Sequence, residues 1–339
     1  MRPQHPTGLL WLHHQPRTKM AERIEPTVPA IGLEPSLASP ARRTAVMQSP
    51  RLKAYLALAV GVICIGFSAI FTKWADVPGT VSAFYRVAIA TVVLAVPFAL
   101  QGTRSAEGRA ATRRLSPAIV WLTALAGVFF ALDLALWNTS LDFTSAANAT
   151  LLGNTSTLWV SLGALLFFNE KLRRNFWAGM LLALLGALVI VGRDVFEHPS
   201  LGWGDLLSIG SSLFYAAYLL NTQRVRQRTG TLSFMWLSSV AATVLLLVYV
   251  LLMGQPLTGF SEQTWLSLAA LGLISHVVGW LAINYALGHL PAPLTAVTLL
   301  SQPVITALVA VPLLGEHLTL YQVGGGLLVL LGIYIVNRR

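Results

Sequence analysis

From about residue 54 to its end, the chain alternates long apolar runs with short polar breaks. Ten runs can be marked. The first five are Ala54–Thr72, Val81–Leu100, Ile119–Asn138, Ala146–Phe168 and Phe176–Gly192. The second five are Trp203–Leu220, Leu232–Met253, Trp265–Leu287, Ala292–Leu314 and Leu318–Val336. A helix that crosses a bilayer takes about 20 mainly apolar residues. The pattern therefore predicts an all-α membrane protein of ten transmembrane helices, the fifth and sixth being short. The breaks between runs leave no room for a further domain. The first 50 residues differ: Pro, Arg, Glu, Ser and His dominate and no run is long enough to span. Leu9–Leu12 is too short for a signal-peptide core. Residues 1–52 read as a disordered cytoplasmic tail, with Met20 and Met47 as alternative starts to Met1.

Charge fixes an orientation. Basic residues cluster before the first run (Arg42, Arg43, Arg51, Lys53) and between the second and third (Arg104, Arg109, Arg113, Arg114). They recur between the fourth and fifth (Lys171, Arg173, Arg174), between the sixth and seventh (Arg224, Arg226, Arg228), and at the end (Arg338, Arg339). The alternate breaks hold almost none, Lys73 and Arg193 (beside Asp194 and Glu197) being the exceptions. Lys and Arg collect on the cytoplasmic side, so ten helices place both termini in the cytoplasm.

The chain also repeats itself. Displaced by 146 residues, Asn138 meets Asn284, Glu170 meets Glu316, Gly179 meets Gly325 and Gly186 meets Gly332, without a gap. This divides the chain into two five-helix repeats, 53–192 and 201–339. Because five is odd, the second repeat enters the membrane from the opposite side. Inverted repeats are a transporter architecture, with the substrate site near the midplane where the halves meet. Gly179 with Gly186, and Gly325 with Gly332, lie two turns apart on one helix face, where small residues allow close backbone approach.

Composition excludes other classes. Of 339 residues, 55% are hydrophobic and 11% charged, against about 25% charged in a soluble domain. The formal charge of +10 belongs to the cytoplasmic loops and does not argue for nucleic acid. The single cysteine, Cys64, allows neither an internal disulfide nor a CxxC site. No cofactor and no metal site are expected. The expected partners are a small-molecule substrate and the lipid bilayer, with the monomer as working unit.

Ionisable groups within a membrane helix are candidates for function. Asp133 is the one acid deep in a run, and Arg86 enters the second run from the same side at similar depth. They could pair, or Asp133 could exchange partner or proton during transport; a static pair fixing two helices is the plain alternative. His276 sits mid-helix and could carry a coupling proton or simply be a core histidine. Trp280 and Asn284 follow it at one-turn intervals, a stripe suited to a cavity wall. Further midplane candidates are Ser68, Trp137, Asn154, Ser156, Tyr215, Tyr218, Ser301 and Gln302. Pro303 frees a carbonyl one turn earlier. Glu170 and Glu316 stand at helix ends and read as structural.

Several motifs resemble the EamA family of the drug/metabolite transporter superfamily, over about Tyr55–Val336. They are Ala83-Phe84-Tyr85-Arg86, Phe168-Asn169-Glu170-Lys171-Leu172, Leu314-Gly315-Glu316-His317-Leu318, Gly204-Asp205-Leu206-Leu207 and Pro303. Thr157 in place of proline and Asn169 in place of glycine depart from the pattern. The resemblance implies movement of small metabolites across the plasma membrane, often export of amino acids or related compounds. It also implies a cavity lined by helices 1, 3, 4, 6, 8 and 9. A nucleotide-sugar or sugar-phosphate carrier would need several cations in that cavity, where only Arg86 and Lys73 are available. A membrane-embedded enzyme would need an acid–base pair, a nucleophile with its base, or a metal cluster, and the chain offers none.

Overall fold

The computed structural model describes residues 50–104, 116–191, 202–315 and 317–338. The tail, the alternative starts, Arg109, Arg113, Arg114, Arg193 and Glu316 lie outside the described residues. Among the described residues there are ten helical rods and no strand. They are α1 (Pro50–Gly66 and Ser68–Ala75), α2 (Gly79–Arg104), α3 (Pro117–Ser140), α4 (Ala146–Asn154 and Ser156–Phe168) and α5 (Arg174–Val191). The second set is α6 (Trp203–Arg226), α7 (Thr231–Leu252), α8 (Glu262–Ala270, Leu271–Trp280 and Leu281–Leu287), α9 (Ala292–Leu299 and Gln302–Leu314) and α10 (Leu320–Asn337). Eight of these are long and apolar enough to cross a membrane; α5 is slightly too short in its apolar part, and α6 is not among the eight. The 24 residues of α6 run past the predicted end at Leu220 to Arg226. The sequence hides this because its last turns are polar, yet Thr222, Gln223 and Arg226 are buried. Large apolar side chains such as Val92, Leu166 and Phe167 are exposed, as lipid-facing positions require.

The 146-residue repeat is reproduced helix end by helix end. Both α4 and α9 are broken, at Thr155 and at Leu300–Ser301, and both end in a left-handed residue, Asn169 (φ 51°) and Gly315 (φ 67°). Glycine is the usual residue there and asparagine the next most tolerated, so Asn169 keeps the same turn. The bounds of α5 and α10 also differ by 146 at each end. Pro303 stands at the break in α9, but the break in α4 forms without proline. In α4 the Thr155 hydroxyl donates to the Leu152 carbonyl (2.5 Å), with Ser212 Oγ 3.1 Å away, which competes with the helix ladder.

The repeats meet at an antiparallel crossing of α5 and α10. A Cβ on Gly179 would lie 2.6 Å from the Gly332 carbonyl oxygen, and one on Gly186 would lie 2.6 Å from that of Gly325. The same holds in reverse, so the four glycines pair about a two-fold axis. Overpacking such a contact costs about 1–3 kcal/mol. Gly186→Leu is expected to lower the midpoint of thermal unfolding in detergent; an unchanged midpoint would mean that the crossing contributes nothing to stability.

Contacts between repeats run in a swapped pattern. From the second repeat, α6 lies antiparallel along α3, through Thr144–Asp205, Asp133–Ser211 and Leu122–Asn221. From the first, α1 lies along α8 and α9: Ser275 Oγ donates to the Cys64 carbonyl and Thr306 Oγ1 to the Gly66 carbonyl. Those bonds satisfy backbone next to the break in α1 at Phe67, as a membrane interior demands. One end of the bundle carries Arg51, Lys53, Lys171, Arg173, Arg174, Arg224, Arg226, Arg228 and Arg338 and is called the basic end. At the opposite end lie Asp76, Asp142, Asp205 and Glu262 with Lys73.

Candidate functional site

Three interrupted helices point at one place. The break in α1 presents Ser68, that in α4 presents Asn154 and Ser156, and that in α9 presents Gln302 and Pro303, all lining a single cavity of about 460 Å³. The middle of α8, Leu271–Trp280, is wound as a π-helix, and both its end residues line the same cavity. Discontinuous helices at a repeat interface are where transporters bind substrate, and π-turns also concentrate at functional sites. The volume falls within the range of small-molecule pockets, about 300–1,000 Å³.

The charged groups of this cavity come from α2 and α3. Arg86 lies seven residues from the start of α2 and Asp133 seven before the end of α3, about 10 Å from those helix ends. Both line the cavity. Asp133 Oδ1 accepts a 2.6 Å hydrogen bond from Ser211 Oγ of α6. The Arg86 guanidinium carbon sits 5.8 Å from the Phe130 ring centroid, a cation–π distance. Arg86 Nε is buried and has no hydrogen-bond partner among the described residues.

Below these charges, towards the basic end, the cavity is floored by aromatic rings. Trp280 packs edge-on against Phe130 (4.9 Å), Tyr218 (5.4 Å) and Tyr215 (6.0 Å). Phe130, Tyr215 and Trp280 face the cavity, and Trp137 and Asn138 line its wall above.

The structure brings together Ser68, Asp133, Arg86, Trp137, Asn154, Ser156, Tyr215, Trp280, Gln302 and Pro303. Three expected lining residues stand elsewhere. Tyr218 lies beneath the floor, its hydroxyl donating to Asn284 Oδ1 at 3.0 Å. His276 is 2% exposed, behind Phe130 in a separate void of about 10 Å³, with Nε2 3.5 Å from Ser239 Oγ and Nδ1 without a partner among the described residues. Ser301 turns its hydroxyl back onto the Thr298 carbonyl, closing the break in α9 instead of facing the cavity. The stripe His276–Trp280–Asn284 does not form one cavity wall: only Trp280 lines it, and Asn284 is wholly buried. The His276 ring turns instead toward Phe130 of α3 and Ser239 of α7.

The lining is also wider than the six helices implied by the resemblance. Ser82 and Ala83 of α2, Ile190 of α5 and Gln322 of α10 belong to it. The sequence reading missed Ser211, the hydrogen-bond partner of Asp133. Its one signal is position: it stands one helical turn before Tyr215, on the same face. Glu170 accepts a hydrogen bond from Gln223 Nε2 of α6, at 2.9 Å.

The EamA-like transporter family matches this chain twice, over residues 52–192 and 202–338. An uncharacterized transporter of Archaeoglobus fulgidus is 26% identical over 204 residues, 59% of this chain and 70% of its own length. A Salmonella typhimurium protein named a probable amino-acid metabolite efflux pump is 29% identical over 52% of this chain and 62% of that protein. A pseudopaline exporter of Pseudomonas aeruginosa is 25% identical over 66% of this chain and 74% of its own. One solved crystal structure superposes with a TM-score of 0.70 at 18% identity, covering 85% of this chain and 97% of the other, a likeness of fold alone. Apolar helices in two inverted copies of one domain therefore have a plain reading: the chain belongs to the EamA-like transporter family and is a multi-pass membrane protein.

Proposed function

We propose that this protein exports a small neutral or zwitterionic metabolite, an amino acid or related compound, across the plasma membrane by alternating access. The observation that carries the proposal is the cavity's charge balance: among the described lining residues stand one acid, Asp133, and one cation, Arg86, above an aromatic floor. A carboxylate suits Arg86, an ammonium suits Asp133, and an apolar side chain suits the rings. A phosphate-bearing substrate would call for more cations, which weighs against an organic-anion carrier. The relatives named as exporters of amino-acid metabolites and of pseudopaline support the same direction.

The basic end is the cytoplasmic end by the distribution of Lys and Arg, so both termini are cytoplasmic and the cavity opens outward. The two transport units are residues 53–192 and 201–339. A single chain encloses the cavity, and the monomer is the working unit. Asp133 is also the group suited to exchange a proton for the substrate ammonium, which would couple export to proton entry.

Untargeted metabolite profiling of the growth medium tests this reading. Cells overexpressing the protein are expected to accumulate at least one zwitterionic or neutral amino-acid-like compound outside, relative to cells carrying the empty vector. Enrichment of phosphorylated anions instead would overturn the substrate class. No enrichment, together with no substrate movement in vesicles containing the purified protein, would overturn export itself.

A further inference from the structure

Six of the helices around the cavity fall into two bodies that are images of each other under the repeat. One is α3, α4 and α6; the other is α8, α9 and α1. Within the first, α6 is bonded to α3 and α4 along its whole length, from Thr144–Asp205 through Ser212–Trp159 to Gln223–Glu170. Within the second, α1 is bonded to α8 and α9 through the Cys64 and Gly66 carbonyls.

Between these bodies the cavity occupies the half away from the basic end. Its lining runs over Ser68–Thr72, Ser82–Arg86, Phe130–Asn138 and Gln302–Ala310, and Trp280 marks its floor. Below the floor, α6 crosses to α8 and α9 through three bonds. The Tyr218 hydroxyl donates to Asn284 Oδ1 (3.0 Å), Arg226 Nε donates to the Asn284 carbonyl (3.0 Å), and the Ala292 N–H donates to Gln223 Oε1 (2.6 Å). These groups are all buried. Arg226 is further held by the Thr229 carbonyl and the Thr231 hydroxyl, so neutral oxygens solvate its charge.

Asn138 and Asn284, equivalent by the repeat, differ accordingly. Asn138 lines the open cavity, while Asn284 is 0% exposed and bonded to Tyr218 and Met235. A two-fold related pair in two different surroundings is what a molecule caught at one end of an exchange would show.

We propose that Tyr218, Gln223 and Arg226 form the clasp that shuts the basic end, and that it must part for the cavity to load from that side. This rests on the transport reading for its purpose but not for its test. Gln223 is the key member: its amide accepts from the first N–H of α9 while donating to Glu170, so it ties α9 to the end of α4 directly. These three are positioning residues that set which end is open, and none of them lines the cavity.

The test uses the full chain with Cys64→Ser, which removes the single cysteine. Thr72→Cys reports the open end and Ala286→Cys, at a wholly buried site of α8, reports the closed end. Each is labelled in membranes with a maleimide. Without substrate, Thr72→Cys should react readily and Ala286→Cys slowly. Adding Gln223→Ala should raise labelling at residue 286 by about tenfold, the shift expected from losing a buried bond, while labelling at residue 72 falls only slightly because most molecules stay open at that end. Tyr218→Phe, which removes one hydroxyl and leaves the packing, should raise labelling at residue 286 by about threefold, again with little change at residue 72. An unfolded or loosened variant would raise both reporters together. The clasp is overturned if Tyr218→Phe and Gln223→Ala leave the ratio of the two rates unchanged, or if both variants raise both rates. Transport activity does not enter the readout, so failure here and failure of the export reading are separate results.

Discussion

Asp133→Asn is expected to lower transport about ten- to a hundredfold while the protein still folds, the cost of losing a charge-assisted hydrogen bond to a substrate ammonium. Folding should survive because the asparagine oxygen can still accept from Ser211 Oγ, the bond that holds the present carboxylate. Charge is what the substitution removes. If Asp133 grips an ammonium or exchanges it for a proton, the neutral amide can do neither. The check is the initial rate of export, per amount of protein in the membrane, for the compound that the wild type moves. A rate within about twofold of wild type would make Asp133 a structural partner of Ser211 and remove it from the mechanism. Ser211→Ala gives the complementary measurement. It leaves the charge but frees its orientation, so a smaller loss than that of Asp133→Asn is expected.

Much of the fold could be read before any coordinates, and the reasons are physical. Ten apolar runs separated by breaks of alternating basicity reflect the bilayer, which rewards apolar length and sorts cations. The 146-residue offset then carried more than topology: it anticipated the paired glycines at the α5–α10 crossing. Those glycines are visible in sequence because no larger residue fits against the opposing carbonyls. The breaks were less legible. Pro303 signalled the one in α9, but the equivalent one in α4 is made by Thr155 and Ser212, and hydroxyls are too common in sequence to mark a break. Asn169 looked like a departure from the pattern and is a second solution to the same left-handed turn.

The site was legible in kind and less so in detail. Asp133 and Arg86 stood out because charge in an apolar run is rare. Trp137, Asn154, Gln302 and Trp280 followed from polarity or aromaticity at the right depth, and all line the cavity. His276, Tyr218 and Ser301 met the same criteria and face away, because depth along a helix says nothing of rotation about it. His276 in particular turns toward Ser239 of α7, behind Phe130. Which end of the bundle is open could not be read at all. It depends on bonds such as Gln223 to Ala292 N, made between residues far apart in sequence and with no composition of their own.

Arg86→Gln is the second large effect expected, and its pairing with Asp133 decides what both residues do. The guanidinium lies over Phe130, and its Nε has no bond among the described residues. A buried donor without a partner costs about 1–3 kcal/mol, a cost that a substrate carboxylate reaching this side of the cavity could offset. Removing the charge should raise the concentration for half-maximal transport about tenfold or more, since a carboxylate then loses its counter-charge. Arg86→Lys should recover part of this, because it keeps the charge but loses the planar fork and the stack on Phe130. Recovery of none would mean that the stack matters more than the charge. The double variant, Asp133→Asn with Arg86→Gln, separates the remaining alternatives. If the two residues serve only to neutralise each other between α2 and α3, each single change strands a charge, and the double variant transports better than either. If they hold opposite ends of one zwitterion, both contacts are lost together, and the double variant is at least as impaired as the worse single. Ser211 already occupies one oxygen of Asp133 and Phe130 already carries the face of Arg86. Each charge thus has its own support from the fold, which is why the second outcome is the one expected.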